Sequence, residues 1–106
     1  MRVEGSGLIV RAGDRYLLLR RAEGKPQAGK LCLPGGSRDG DETPAMTAAR
    51  ETHEETGELL DPTMLIKVSK IDHDFDDNDK VTWHTYFAVV NEFQPNLHDK
   101  EHTGFM

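Results

Sequence analysis

Residues 35–57, GGSRDGDETPAMTAARETHEETG, decide the fold because they join a glycine-rich loop to a helix. Thr43 is a good N-cap residue, and Pro44 suits the first helical position, where a missing N–H group costs nothing. Gly57 suits the left-handed conformation that commonly follows the last helical residue. The segment therefore predicts an α-helix over Pro44–Thr56.

The predicted helix has two different faces. At about 100° per residue, Glu51, Glu54 and Glu55 share one arc, and this carboxylate face is expected to remain free. Like charges on adjacent turns repel, so the glutamates indicate either a solvated acidic face or a site for a divalent cation. Small residues form another arc, which is expected to press against a sheet: Ala45, Ala48, Ala49, Thr52 and Thr56.

The order of residues across the whole segment favours the cation. The pattern G-x5-E-x7-R-E-x2-E-E-x-G is matched at every fixed residue, by Gly36, Glu42, Arg50, Glu51, Glu54, Glu55 and Gly57. This segment resembles the Nudix box, the signature of the Nudix hydrolase family. Thr52 and Glu58 stand where the family usually has aliphatic residues, which affects packing of the helix and not its carboxylates.

The resemblance implies a metal-dependent hydrolase with Mg²⁺ or Mn²⁺ as cofactor. It implies that Glu54 and Glu55 bind the metal, and that Glu51 is a third ligand or orients the attacking water. It also implies that the backbone carbonyl of Gly35 completes the coordination and that Arg50 holds a catalytic carboxylate through a bidentate contact. A cation is needed in any case, because an acidic helix approaches a polyphosphate only through bridging positive charge.

Four residues outside the helix are further candidates. Adjacent arginines, Arg20 and Arg21, are expected beside the glycine loop as contacts to substrate phosphates, with a solvated strand end as the alternative. Residues 17–36 also resemble the MutT type of nucleoside triphosphate pyrophosphohydrolase. Glu101 lies where several Nudix enzymes have a late-loop glutamate that reaches the metals, although a solvated loop charge explains it equally well. Glu42 precedes the helix and is interpreted as partly structural, with an outer metal contact as a second role.

The rest of the sequence predicts one α+β domain over residues 1–106. Strands are expected over 3–12, 15–21, 31–33, 64–72, 80–90 and 102–106, the first two forming a hairpin at Gly13-Asp14. Both faces of the 80–90 strand are apolar, which indicates a central strand covered on two sides. The resemblance implies an α/β/α sandwich around a mixed sheet, without the terminal helix usual in the family. That absence predicts a truncated chain or a partner over the sheet, so a homodimer is a further expectation.

The composition narrows the function. A formal charge of −6 argues against a nucleic-acid polymer as the main partner. No apolar run approaches the roughly 20 residues that span a bilayer, and one cysteine fits a cytoplasmic location. We therefore expect a small nucleotide substrate, most simply a (deoxy)nucleoside triphosphate cleaved to the monophosphate and pyrophosphate. The alternatives are ADP-ribose or another nucleotide conjugate, and a Nudix domain that binds nucleotide without cleaving it.

Overall fold

The computed structural model describes residues 2–21, 30–74, 80–91 and 102–105, and for residues 2, 20, 21 and 102–105 it describes the backbone. The elements in chain order are β1 (Arg2–Ala12), β2 (Arg15–Tyr16), β3 (Leu19–Arg21), β4 (Leu31–Cys32), β5 (Gly35–Ser37), α1 (Pro44–Thr56), a 3₁₀ turn (Pro62–Met64), β6 (Ile66–Asp74), β7 (Lys80–Val89) and β8 (His102–Phe105).

A mixed sheet forms the centre of the molecule. Strand β1 pairs in parallel with β7, and β6 continues the sheet antiparallel to β7. The other edge of β1 pairs antiparallel with β5 near its start and with β2 at its end. A second sheet has the order β4-β3-β8, and helix α1 packs mainly on β1 and β5. The predicted α+β class with a mixed sheet is confirmed.

The predicted hairpin between the first two strands is present, but the single strand predicted over 15–21 is wrong. It divides into β2 and β3, which belong to different sheets. Leu17 and Leu19 are both fully buried, and the Leu17 N–H donates to the carbonyl oxygen of Val10 at 3.0 Å. Because these leucines join Leu8 and Val10 in the core, the chain passes from one sheet to the other through the core. Strand β5 is a further difference, since the glycine loop was not expected to pair.

Helix α1 begins and ends where the sequence predicts. The Thr43 side chain accepts a hydrogen bond from the Met46 N–H at 3.1 Å. Gly57 adopts a left-handed conformation with φ of 83°, and its N–H donates to the His53 carbonyl oxygen at 2.8 Å. The small-residue face does pack inward, and the buried residues of the helix are Thr47, Ala48, Ala49, Thr52, Glu55 and Thr56.

Strand β7 is buried on one face only, so the prediction of two covered faces is wrong for the part of the chain that the structure describes. Its α1-side face buries Thr82, His84, Tyr86 and Ala88. The opposite side of the sheet, which we term the open sheet face, displays exposed apolar side chains across three strands: Val3, Ile66, Ile71, Trp83 and Val89. The described residues contain one α-helix, so the second helical layer of the expected sandwich is not among them.

No helix within the described ranges is long and apolar enough to cross a membrane.

Candidate active site

Strand β5 and helix α1 bring the two ends of the box segment together on one side of the sheet. In the β1–β5 pairing, Ser6 lies opposite Gly36 and Gly5 lies opposite Ser37. The carboxylate of Glu51 rests directly on this strand, since a Cβ atom added at Gly36 would stand 2.5 Å from Cδ of Glu51. A side chain at this position would displace the Glu51 carboxylate from the strand.

Arg50 is the centre of the site. Its Nε donates to Oε2 of Glu42 at 2.7 Å, and its Nη2 donates to Oε1 of Glu42 at 3.1 Å. Nη2 also donates to the carbonyl oxygen of Ser37 at 2.9 Å. Nη1 donates to Oε1 of Glu51 at 2.9 Å and to Oε1 of Glu54 at 3.1 Å. One guanidinium therefore joins β5, the loop and the helix.

The predicted bidentate contact of Arg50 exists, but its partner is Glu42 and not a carboxylate on the helix. Glu51 and Glu54 instead share the single nitrogen Nη1. The hydrogen bonds from Arg50 hold the pKa of Glu42 below its ordinary value, and the hydrogen bonds to Glu42 raise the pKa of Arg50. Both shifts favour the charged forms of the two groups.

Glu42 fastens the loop to the helix. Besides the two contacts from Arg50, its Oε1 accepts hydrogen bonds from the Asp39 N–H at 2.9 Å and from Oγ1 of Thr47 at 3.1 Å. These four donors support the structural role of Glu42, and its outer metal contact stays a prediction. Thr47 is fully buried, and sequence reasoning missed its role. The available signal was its place on the helix, within the carboxylate arc and one turn before Glu51.

The three helix carboxylates have different environments, so the prediction of a uniformly free acidic face is wrong. Glu55 is 3% exposed, and its Oε1 accepts a hydrogen bond from the Gly35 N–H at 3.0 Å. The side chains of Glu51 and Glu54 are 17% and 54% exposed. Glu55 lies close enough to the small-residue arc to be covered when the helix packs on β5.

The chemistry of these side chains fits a hard divalent cation, because carboxylate oxygens are the ligands that Mg²⁺ and Mn²⁺ prefer. Glu51 and Glu54 already converge on one positive group, Nη1 of Arg50. Among residues 2–21, 30–74, 80–91 and 102–105, no three histidine, cysteine, aspartate or glutamate side chains form a complete metal-binding group.

The other predicted residues are only partly placed. The backbone of Arg20 pairs with Leu31 of β4 and Gly104 of β8, and that of Arg21 pairs with His102, but neither arginine side chain is described. Glu101 lies outside the described residues. Their roles stay predictions.

A cavity of about 340 Å³ adjoins the box loop, and sequence reasoning did not anticipate it. Its lining residues are Val3, Glu4, Ser37, Arg38 and Gly40. Ser37 is the residue whose carbonyl oxygen binds Arg50, so the cavity borders the charged network. The signal for Arg38 was a lone cation within an acidic loop, at a position that the box pattern leaves unspecified.

Comparison with known proteins identifies the family. The model of the NUDIX domain matches residues 1–105, and the chain belongs to the Nudix family. The 8-oxo-dGTP diphosphatase of Escherichia coli (strain K12) is 31% identical over 95 residues, which cover 90% of this chain and 70% of that protein. The resemblance to the Nudix family and its MutT-like members is therefore confirmed.

Two further comparisons define the extent of the similarity. The crystal structure of a MutT NUDIX hydrolase from Burkholderia pseudomallei superposes with a TM-score of 0.82 at 26% identity, covering all of this chain and 81% of that one. A Mycobacterium tuberculosis (strain ATCC 25618 / H37Rv) relative is 36% identical over 94 residues, which are 84% of this chain. The chain spans only 42% of that relative's length.

Proposed function

We propose that this Nudix domain catalyses metal-dependent hydrolysis of a nucleoside diphosphate linked to another moiety. We infer that the substrate is a (deoxy)nucleoside triphosphate, converted to the monophosphate and pyrophosphate. The observation that carries the proposal is the convergence of Glu51 and Glu54 on Nη1 of Arg50, beside the glycine strand β5. The E. coli relative named 8-oxo-dGTP diphosphatase supports a triphosphate and makes an oxidised guanine nucleotide a substrate to test.

Mg²⁺ or Mn²⁺ is the proposed cofactor, with Glu51, Glu54, Glu55 and the carbonyl of Gly35 as the residues that would hold it. Such a cation neutralises phosphate charge and lowers the pKa of a coordinated water. The hydrogen bond from the Gly35 N–H to Glu55 supports this ligand set, because it fixes the glycine peptide next to one of the carboxylates.

The chain's own residues position the reacting groups. Arg50 holds Glu51 and Glu54 at fixed places on the helix, and Glu42 holds Arg50. Glu51 packs against the backbone of Gly36, where it is either a ligand or orients the attacking water. Water loses a proton and adds to the α- or β-phosphorus atom, the P–O bond of the bridge between these two atoms breaks, and the monophosphate and pyrophosphate are released. Positioning of this kind supplies much of the rate in phosphoryl transfer, because little covalent chemistry is required of the protein.

Arg20, Arg21 and Glu101 remain proposed contributors. The two arginines lie at the end of β3, and we propose them as contacts to the substrate. Glu101 immediately precedes β8, and we propose it as a further ligand or as the general base. A guanidinium suits phosphate oxygens because it donates two parallel hydrogen bonds.

A panel of nucleotides with Mg²⁺ tests the proposal. The panel contains the common ribonucleoside and deoxynucleoside triphosphates, 8-oxo-dGTP and ADP-ribose, with separated and quantified products. We expect a triphosphate to give monophosphate and pyrophosphate, and EDTA to abolish the reaction. Fastest cleavage of ADP-ribose would transfer the assignment to nucleotide conjugates. Tight nucleotide binding without turnover would contradict the enzymatic assignment and support a binding domain.

A further inference from the structure

The cavity beside the box loop is lined by residues of both faces of β1, because Val3 belongs to the open sheet face and Glu4 to the face that α1 covers. Glu4 and Ser6 are two residues apart on β1, so their side chains point to one side of the sheet. Ser6 is buried there and lies opposite Gly36, on which the Glu51 carboxylate rests. The roughly 340 Å³ of space next to Glu4 also borders Ser37, whose carbonyl oxygen accepts a hydrogen bond from Arg50, so the cavity adjoins the network that holds the proposed metal ligands. Its volume falls within the range of small-molecule sites.

Arg38 supplies a positive charge to this cavity. Its backbone N–H donates to the carbonyl oxygen of Glu4 at 2.8 Å, which fixes the position of the residue. Its Nη1 makes a longer contact of 3.4 Å to Oε2 of Glu4. The two side chains are 47% and 34% exposed, and ion pairs of this kind contribute little to stability. Arg50, with contacts as short as 2.7 Å, is by contrast firmly held.

The loop beside the cavity is acidic, so a phosphate group can bind there only beside a positive charge. The box loop carries Asp39, Asp41 and Glu42 just before the helix with the other carboxylates, and the chain has a formal charge of −6. A polyphosphate approaching such a surface is repelled, so binding needs local positive charge. A guanidinium binds phosphate oxygens by two parallel, charge-assisted hydrogen bonds, which are stronger than a single long contact to an exposed carboxylate.

We propose that Arg38 binds the phosphate chain of the nucleotide in this cavity, and that Glu4 holds the guanidinium until phosphate displaces it. The choice of a nucleotide as the ligand rests on the proposed function, whereas the binding of a phosphate group by Arg38 does not. Glu4 then competes with the substrate, so removal of its charge strengthens binding.

The test is calorimetric titration with a deoxynucleoside triphosphate whose α and β phosphorus atoms are joined by a methylene group, in the presence of Mg²⁺. Loss of a charged hydrogen-bonding partner predicts about tenfold to hundredfold weaker binding for Arg38→Ala. Arg38→Lys should lie between this variant and the parent, since it retains the charge without the paired donors.

Arg15→Ala is the matched control because it removes the same charge from another exposed arginine. Arg15 pairs with Ala12, eight residues along β1 from Glu4, which places it about 26 Å away at 3.3 Å per residue. Its binding constant should equal the parent's within about twofold, given screening over about 10 Å. Thermal melting of each variant verifies folding.

Glu4→Gln tests the competition. It should bind the analogue up to about fivefold more tightly than the parent, the range for an exposed ion pair. In the Arg38→Ala background the same change should have a smaller effect. If Arg38→Ala binds like Arg15→Ala, or the parent does not bind the analogue, the proposal is overturned. Arg38-dependent binding without turnover sinks the proposed function alone, whereas turnover that is indifferent to Arg38 sinks this proposal alone.

Discussion

Replacement of Arg50 by lysine tests whether the charged network is catalytic or merely structural. The side chain is 26% exposed and donates hydrogen bonds to Glu42, Ser37, Glu51 and Glu54. A lysine keeps the charge but presents a single nitrogen, so it cannot reach the loop, β5 and the helix carboxylates together. The substitution therefore releases Glu51 and Glu54 while leaving a cation nearby.

The expected losses of stability and of reaction rate distinguish a structural role of Arg50 from a catalytic one. Glu42 retains its hydrogen bonds from Asp39 and Thr47, so part of the connection between the loop and the helix remains in the folded state. The contacts to Ser37, Glu51 and Glu54 are partly exposed, and water replaces part of each, so their loss together should lower the free energy of unfolding by about 1–2 kcal/mol. For a chain of 106 residues this lowers the melting temperature by about 4–15 °C. Misplacement of catalytic groups by about 1 Å costs about a hundredfold in rate, or roughly 2.7 kcal/mol.

The assay compares kcat and thermal melting of the parent, Arg50→Lys and the control Arg15→Lys, which makes the same exchange at an exposed strand position. We expect Arg50→Lys to lose at least about a hundredfold in kcat at a temperature where it is fully folded. Arg15→Lys should match the parent in both measurements. A variant that melts several degrees lower yet keeps the parent's kcat would refute the positioning role.

Three further predictions concern the buried hydroxyl, the buried imidazole and the open sheet face. Thr47→Val removes the hydroxyl that donates to Glu42, so kcat should fall severalfold and Thr47→Ser should restore it; equal rates in all three proteins would contradict a positioning role. Burial, and to a smaller extent the charge of Lys67, lowers the pKa of His84 below its ordinary value of 6.5. As the pH falls, the unfolded state therefore takes up a proton at a higher pH than the folded state does. The free energy of unfolding should therefore decrease as the pH falls below about 6.5, and the decrease should be smaller in His84→Leu. Melting curves at pH 7.5 and 5.5 that show equal losses of stability in the parent and in His84→Leu would contradict this. The open sheet face predicts a dimer or a weakly active protein, so light scattering should show mass rising with concentration, whereas a fully active monomer at micromolar concentration would refute it.

Local signals were sufficient to predict helix α1 and the family. Thr43, Pro44 and Gly57 act within one turn of their own positions, so the sequence alone determines both ends of the helix. The box pattern needs only residue order. The hairpin of β1 and β2 was predictable for the same reason, because the turn at Gly13-Asp14 is local.

The predictions that were wrong concern contacts between segments that are distant in the sequence. Helical periodicity groups Glu55 with the other glutamates, but the Gly35 N–H, 20 residues away, decides that it is buried. The resemblance to the Nudix box implies that Arg50 binds a carboxylate but does not identify that carboxylate. The conformation of the loop brings Glu42 to the guanidinium. The break between β2 and β3 follows from two sheets that share the buried leucines, which no local pattern reveals.

The most direct test of metal-dependent hydrolysis at helix α1 is the rate of pyrophosphate release as a function of Mg²⁺ concentration, with a triphosphate from the panel. The proteins compared are the parent, the double variant Glu54→Gln/Glu55→Gln and the control Asp14→Asn, an exposed carboxylate in the β1–β2 turn. Glutamine keeps the size of each side chain and removes the charge that a hard cation needs. We predict a rate that rises to saturation with Mg²⁺ in the parent and the control. In the double variant it should be lower by about two orders of magnitude or more. A double variant with the parent's rate and the parent's Mg²⁺ dependence would contradict the account.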